Sequence, residues 1–160
     1  MQLIVVRHGE AVDQGVGMSD GERWLTGRGR RTTREVAAAL PPEHHPYELW
    51  TSPLVRATQT AEIIASVLRL DDRVCVLRAL ATGDVSAIRE AIDGYAGPGP
   101  LMLVGHEPTL SALTRQLLGP GARWPGYDKS AACAMTLGPE GARFDSLLNP
   151  DLRRVTRLPA

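Results

Sequence analysis

Leu3-Ile4-Val5-Val6-Arg7-His8-Gly9-Glu10 is the stretch whose reading decides the fold. Four apolar residues end abruptly in an arginine, a histidine and a glycine. A short continuous apolar run closed by a turn signal reads as a strand buried on both faces. The residues just past the carboxyl end of such a strand face the crevice where open α/β sheets bind ligands. Arginine forks onto phosphate, histidine serves as nucleophile or base, and glycine lets backbone approach a ligand closely. These residues together describe a phosphate-handling turn at the start of the chain.

A lone Arg-His-Gly also fits a solvated turn after a strand, but the arrangement occurs twice. Leu101-Met102-Leu103-Val104-Gly105-His106 is a second buried-strand run ending in histidine. Glu107-Pro108-Thr109-Leu110 follows, and Pro108 suits the first turn of a helix. If the two strands are parallel neighbours, both imidazoles point into one crevice. The other two histidines, His44 and His45, lie in a Pro-Pro-Glu-His-His-Pro loop and read as solvated.

A third element converges on the same place. Tyr47–Trp50 reads as a short strand, and Thr51-Ser52-Pro53 opens a helix over 54–68. Ser52 has the chemistry of an N-cap and Pro53 that of a first helical residue. Arg56 then falls in the first turn, where the helix dipole favours anions over cations. An anion held between Arg56 and the helix would explain its placement, and so would an ordinary exposed helical arginine.

Across its 160 residues the chain reads as one domain, 1–160, long enough for a substantial core. Its 18 basic and 18 acidic residues cancel, so no net field favours nucleic acid or an anionic membrane as partner. Only Lys129 is a lysine among the basic residues, a bias best explained by a GC-rich genome. No apolar run approaches the roughly 20 residues that span a bilayer, and no targeting segment precedes the first strand. Cys75 and Cys133 lack metal-site spacing and read as buried thiols of a cytoplasmic protein.

Strand and helix patterns alternate from there. Strand 2–6 leads through a glycine-rich loop to a helix over 28–40, then strand 47–50 and helix 54–68. Strand 74–77, a helix near 85–95, strand 101–104 and helix 108–118 follow. Residues 131–137 and 143–147 read as two strands joined by Gly138-Pro139-Glu140-Gly141, an antiparallel hairpin. This order predicts an α/β three-layer sandwich: a mostly parallel central sheet with an antiparallel C-terminal edge hairpin.

With these residues assembled, the chain resembles the histidine phosphatase superfamily, which has the phosphoglycerate-mutase-like fold, and within it the small SixA-type phosphohistidine phosphatases. The resemblance rests on Arg7-His8-Gly9-Glu10, Arg23-Trp24-Leu25-Thr26 with Gly29, Ser52 through Glu62, Gly83-Asp84 and Val104-Gly105-His106. Each fragment alone is weakly specific; their order and spacing in a chain of this length are not. The resemblance implies that His8 takes the phosphoryl group and that Arg7, Arg56 and His106 surround it. It further implies that Arg23 lies beside the phosphate pocket.

Such roles are chemically coherent. A neutral imidazole is nucleophilic near pH 7, and its phosphoramidate can be hydrolysed, so one hard step becomes two. Phosphoryl transfer depends on positioning and on charge stabilisation, which two arginines and a second imidazole supply. No carboxylate cluster suggests a metal, no Walker or kinase-type loop appears, and no cofactor is expected. An alkoxide leaving group needs a general acid, whereas an N-phosphoryl bond is already labile. Glu107 and Asp84 are the candidate proton donors. Each has a second reading, Glu107 as a first-turn glutamate favoured by the dipole and Asp84 as an N-cap. Glu10 reads as a hydrogen-bonding partner in the site.

Short connections predict an open pocket, suited to phosphohistidine on a protein surface. The leading expectation is therefore a monomeric, cytoplasmic, metal-independent phosphatase acting on a phosphohistidine-bearing protein. The alternatives are a phosphomonoesterase for a small phosphorylated molecule, using Glu107 or Asp84 as acid, and a non-catalytic phosphate- or partner-binding module.

Overall fold

In a computed structural model, residues 1–159 are described. Strands β1 (Gln2–Arg7), β2 (Glu48–Thr51), β3 (Val74–Val76), β4 (Leu101–Gly105), β5 (Ala132–Gly138), β6 (Gly141–Leu148) and β7 (Arg154–Val155) form one sheet, ordered β3-β2-β4-β1-β5-β6-β7. Pairings among β3, β2, β4 and β1 are parallel, and those from β1 onward through β5, β6 and β7 are antiparallel. The α/β class and the antiparallel hairpin are as the sequence predicts. Strand β7 adds an outer pair that is too short to leave a periodic signal.

The helices are α1 (Gly27–Ala39), α2 (Val55–Leu68), α3 (Ala79–Thr82), α4 (Val85–Asp93) and α5 (Thr109–Leu118). Alternation along the buried strands sorts them into layers. Ile4, Val6, Met102 and Val104 face α1 and α2 through Val36, Ala37, Ala57, Ala61 and Ile64. Leu3, Val5, Leu101 and Leu103 face the opposite side, against Leu80, Ile88, Ile92, Leu110 and Leu113. Burying each of the valine, leucine, isoleucine and methionine side chains among these contributes about 1.5–3 kcal/mol. These two cores clamp β1 and β4 so that their carboxyl ends are held in a fixed register.

Helix starts follow local chemistry. The Thr26 side chain caps α1 by accepting from Gly29 N at 2.9 Å, and Asp84 caps α4 by accepting from Ala87 N at 3.0 Å. The start of α2 differs from expectation. Leu54 stands at the cap position, while the Ser52 hydroxyl is engaged elsewhere, and Pro53 precedes the helix. Two burial expectations are also corrected. His44 is buried in its 3₁₀ turn while His45 is exposed, and that burial lowers the pKa of His44; Cys75 on the outermost strand β3 is exposed while Cys133 is buried. Among the described residues no helix is long and apolar enough to cross a membrane.

Candidate active site

Parallel register brings the two matched strand ends together. Arg7 pairs with Gly105 across β1 and β4, and the His8 amide donates to the Gly105 carbonyl at 3.0 Å. The next residue on each strand is a histidine, so the imidazoles of His8 and His106 lie with centroids 5.0 Å apart. Both are nearly buried, at 7% and 9% exposure.

Close packing fixes the turn that carries His8. Gly9 donates its amide to Thr60 Oγ1 at 3.0 Å, and that hydroxyl in turn donates to the Arg56 carbonyl at 2.7 Å. Helix α1 approaches so tightly that a Cβ on Gly29 would sit 2.1 Å from the Glu10 carbonyl oxygen. Glycine is required there by space alone.

Hydrogen bonding assigns the proton on His8. Its Nδ1 lies 2.7 Å from the Gly9 carbonyl, which only accepts, so Nδ1 carries the hydrogen. Nε2 is left with its lone pair, toward which Arg56 Nε–H points at 3.3 Å. Burial opposes a second proton, as do the nearby charges of His106, Arg56 and Arg7, and the pKa is lowered to about 3. His8 is thus a neutral imidazole across the physiological range with its Nε2 lone pair in the crevice.

His106 is tethered through the other nitrogen. Its Nε2 lies 2.7 Å from Ser52 Oγ, and its Nδ1 is buried with no partner. Burial, and then the charge of Arg56, lower its pKa to about 4. Arg7 NH1 donates to the Tyr127 carbonyl at 2.7 Å, while its Nε is also buried without a partner. Two orphaned polar atoms in one small region are unusual for a folded interior.

Arg56 is buried at the start of α2, as the crevice reading requires. Its NH1 donates to the Asp20 carbonyl at 2.6 Å and its NH2 to Asp20 Oδ2 at 2.8 Å. Arg23 NH1 donates to the other oxygen of the same carboxylate at 2.9 Å, and its Nε to the Val12 carbonyl. Arg23 therefore joins the cluster through Asp20. Sequence reading missed Asp20, Ser52 as the anchor of His106, and Thr60. Asp20 lies in an aperiodic loop, and only its Asp-x-x-Arg spacing to Arg23 hints at the bridge.

The candidate proton donors are engaged elsewhere. Glu107 accepts from Ser111 N at 3.0 Å, Ser111 Oγ at 2.5 Å and Tyr127 N at 2.9 Å. Asp84 holds the cap of α4, and Glu10 accepts from Thr26 and pairs with Arg28. Among the described residues no group of three His, Cys, Asp or Glu side chains is placed to hold a metal ion. Arg7 also lines a cleft of about 380 Å³ shared with Glu10, Arg28, Asp128 and Lys129. A neutral imidazole flanked by guanidinium groups and a second imidazole has the chemistry to accept a phosphoryl group and to stabilise its equatorial charge.

Residues 3–81 match the family model for the histidine phosphatase superfamily, branch 1. An uncharacterized protein of Picosynechococcus is 39% identical over 114 residues, spanning 69% of this chain and 68% of that protein. The structure of the protein histidine phosphatase SixA complexed with tungstate is 30% identical, with TM-score 0.79, and covers 94% of this chain and 98% of that one. A structure from Agrobacterium tumefaciens described as a candidate phosphohistidine phosphatase SixA matches with TM-score 0.81 at 21% identity, covering 93% and 97%.

Proposed function

Because the chain belongs to the histidine phosphatase superfamily and is a phosphatase, we propose that it removes phosphate from phosphohistidine in proteins, with His8 as the nucleophile. The observation that carries this reading is the contrast between a ready nucleophile and committed carboxylates. His8 offers an uncharged Nε2 beside Arg56, while both oxygens of Glu107 and Oδ1 of Asp84 accept structural hydrogen bonds. A substrate that needs little protonation of its leaving group suits such a site, and the N–P bond of phosphohistidine meets that condition.

In the first step His8 Nε2 forms a bond to phosphorus as the substrate's N–P bond breaks, and the departing imidazole takes a proton from solvent. Water then attacks phosphorus, the His8 N–P bond breaks, and inorganic phosphate leaves with His8 neutral again. Arg7, Arg56 and His106 hold the phosphoryl oxygens through both steps, with Arg23 beside them. The orphaned Arg7 Nε and His106 Nδ1 are the polar atoms that an oxyanion would satisfy. The tungstate bound by the SixA relative is a tetrahedral oxyanion of the same kind.

The cleft beside Arg7 gives charged surface for the polypeptide that carries the phosphohistidine. The same reading puts the reaction in the cytoplasm, which suits two unpaired cysteines. The test is a substrate panel with purified protein. Turnover of a phosphohistidine-bearing protein should exceed that of sugar and aryl phosphates. The opposite ranking, with one carboxylate substitution eliminating ester hydrolysis, would replace this reading with a small-molecule phosphomonoesterase.

A further inference from the structure

One carboxylate joins two of the three arginines that the phosphate reading places at the site, Arg56 and Arg23. Asp20 Oδ1 accepts from Arg23 NH1 at 2.9 Å, and Oδ2 accepts from Arg56 NH2 at 2.8 Å. Its own carbonyl takes Arg56 NH1 at 2.6 Å. Arg56 Nε is directed at His8 Nε2, so three of the five N–H groups of this guanidinium have protein acceptors. A planar carboxylate bridging two arginine forks makes the contacts a phosphate oxygen pair would make in the same place. The two arginines hold its carboxyl below the usual range, so it stays anionic at neutral pH.

The setting shows that this carboxylate is not part of the core. The Asp20 side chain is 52% exposed, whereas that of Arg56 is 7% exposed. It sits in the 3₁₀ turn Asp20–Glu22, which is stapled locally by Ser19 and Glu22. Residues 13–17 just before it are exposed, and Val16 projects fully into solvent. The carboxylate thus reaches the buried arginine from the solvent side, the direction from which a phosphoryl group must also arrive.

We propose that Asp20 is a built-in anion surrogate, which holds Arg56 and Arg23 in their phosphate-binding pose and competes with every incoming oxyanion for them. The inference rests on the phosphate site argued above. A phosphoryl group that engages both arginines takes over the positions of the two carboxylate oxygens, and Asp20 turns outward to water. The competition weakens binding of released inorganic phosphate, so product leaves the site readily. It also keeps two guanidinium groups paired while no substrate is bound.

Calorimetric titration with tungstate and with inorganic phosphate tests the proposal, on the full chain and on Asp20→Asn and Asp20→Ala. Asp20→Asn keeps the size of the side chain and removes its charge, and both variants retain the backbone contact to Arg56. Circular dichroism and thermal melting establish that each is folded. Both variants should bind the oxyanions about three- to tenfold more tightly than the wild type, as expected when a partly exposed competing ion pair is removed. The Ki of phosphate as product inhibitor should fall by the same factor. Arg56→Ala should abolish tungstate binding in both the wild-type and Asp20→Asn backgrounds. Equal or weaker oxyanion binding by the Asp20 variants, with Arg56→Ala still abolishing it, would overturn the surrogate role alone. Tungstate binding that survives Arg56→Ala would count against the phosphate site itself.

Discussion

His8 and His106 end two strands of nearly the same sequence pattern, lie side by side in one crevice, and are wired in opposite ways. His8 gives its Nδ1 hydrogen to a main-chain carbonyl and presents Nε2 to Arg56, whereas His106 ties Nε2 to the Ser52 hydroxyl and leaves Nδ1 unpartnered. A carbonyl accepts only, so it forces one tautomer; a hydroxyl donates or accepts, so it permits a change of protonation. On the proposed reading, the partner of each ring, rather than the ring itself, separates the nucleophile from an imidazole that stabilises charge.

The largest expected effect breaks the pair on its His8 side. His8→Ala should lower phosphohistidine turnover by roughly 10⁴-fold or more and eliminate the acid-labile phosphoenzyme. His106→Ala should slow turnover by about 10²–10³-fold while a phosphoenzyme still forms, as for loss of one charge-stabilising group. Rapid-quench detection of labelled phosphoenzyme distinguishes them. Equal loss of the intermediate in both variants would mean that the two imidazoles do not differ in role.

Acid should weaken the fold through both rings. Above pH 6.5 the imidazoles are neutral in folded and unfolded chains alike. Below it the unfolded chain takes up protons that the folded one refuses, down to about pH 4 at His106 and about pH 3 at His8. Their contribution to stability is therefore present above pH 6.5 and is lost as pH falls from there toward 3, on the order of a few kcal/mol. Urea melts between pH 7 and 4 should show the decline, and His8→Ala should flatten it. A decline of unchanged steepness in that variant would remove His8 from the account.

Ser52→Ala sharpens the comparison by releasing His106 alone. About a tenfold fall in kcat is expected, with the phosphoenzyme still formed, since one orienting hydrogen bond is lost and a buried nitrogen is left unpaired. The smallest effect on turnover belongs to the carboxylates. Glu107→Gln and Asp84→Asn should each stay within about threefold of wild-type activity on phosphohistidine. Glu107→Gln should nonetheless lower stability by about 1–3 kcal/mol, because three donors converge on that carboxylate. Thermal melts beside the assay separate the two effects.

The matched strand ends were legible because burial repeats along a strand and stops where the chain meets a crevice. His8, His106 and the crevice side of Arg56 follow from that rule and from helix polarity. Asp20 was not legible, because its contact with Arg56 joins an aperiodic loop to a helix 36 positions later. Ser52 misled through its local chemistry. A serine before Pro53 satisfies the cap preference, yet a buried imidazole outcompetes the helix for its hydroxyl. His44 and Cys75 were misplaced for a related reason: burial of loop and edge residues depends on what folds over them, which composition does not record.

The place of β1 in the sheet carries a kinetic consequence. This first strand pairs on one side with β4, in the register Leu3↔Leu101, and on the other with β5, in the register Leu3↔Met135. Neither neighbour exists until synthesis has passed residue 101, and closing such long loops is slow. His8 therefore leaves the ribosome well before the residue it must meet, His106. A chain cut short before β4 carries His8 without the second imidazole that it faces in the folded protein.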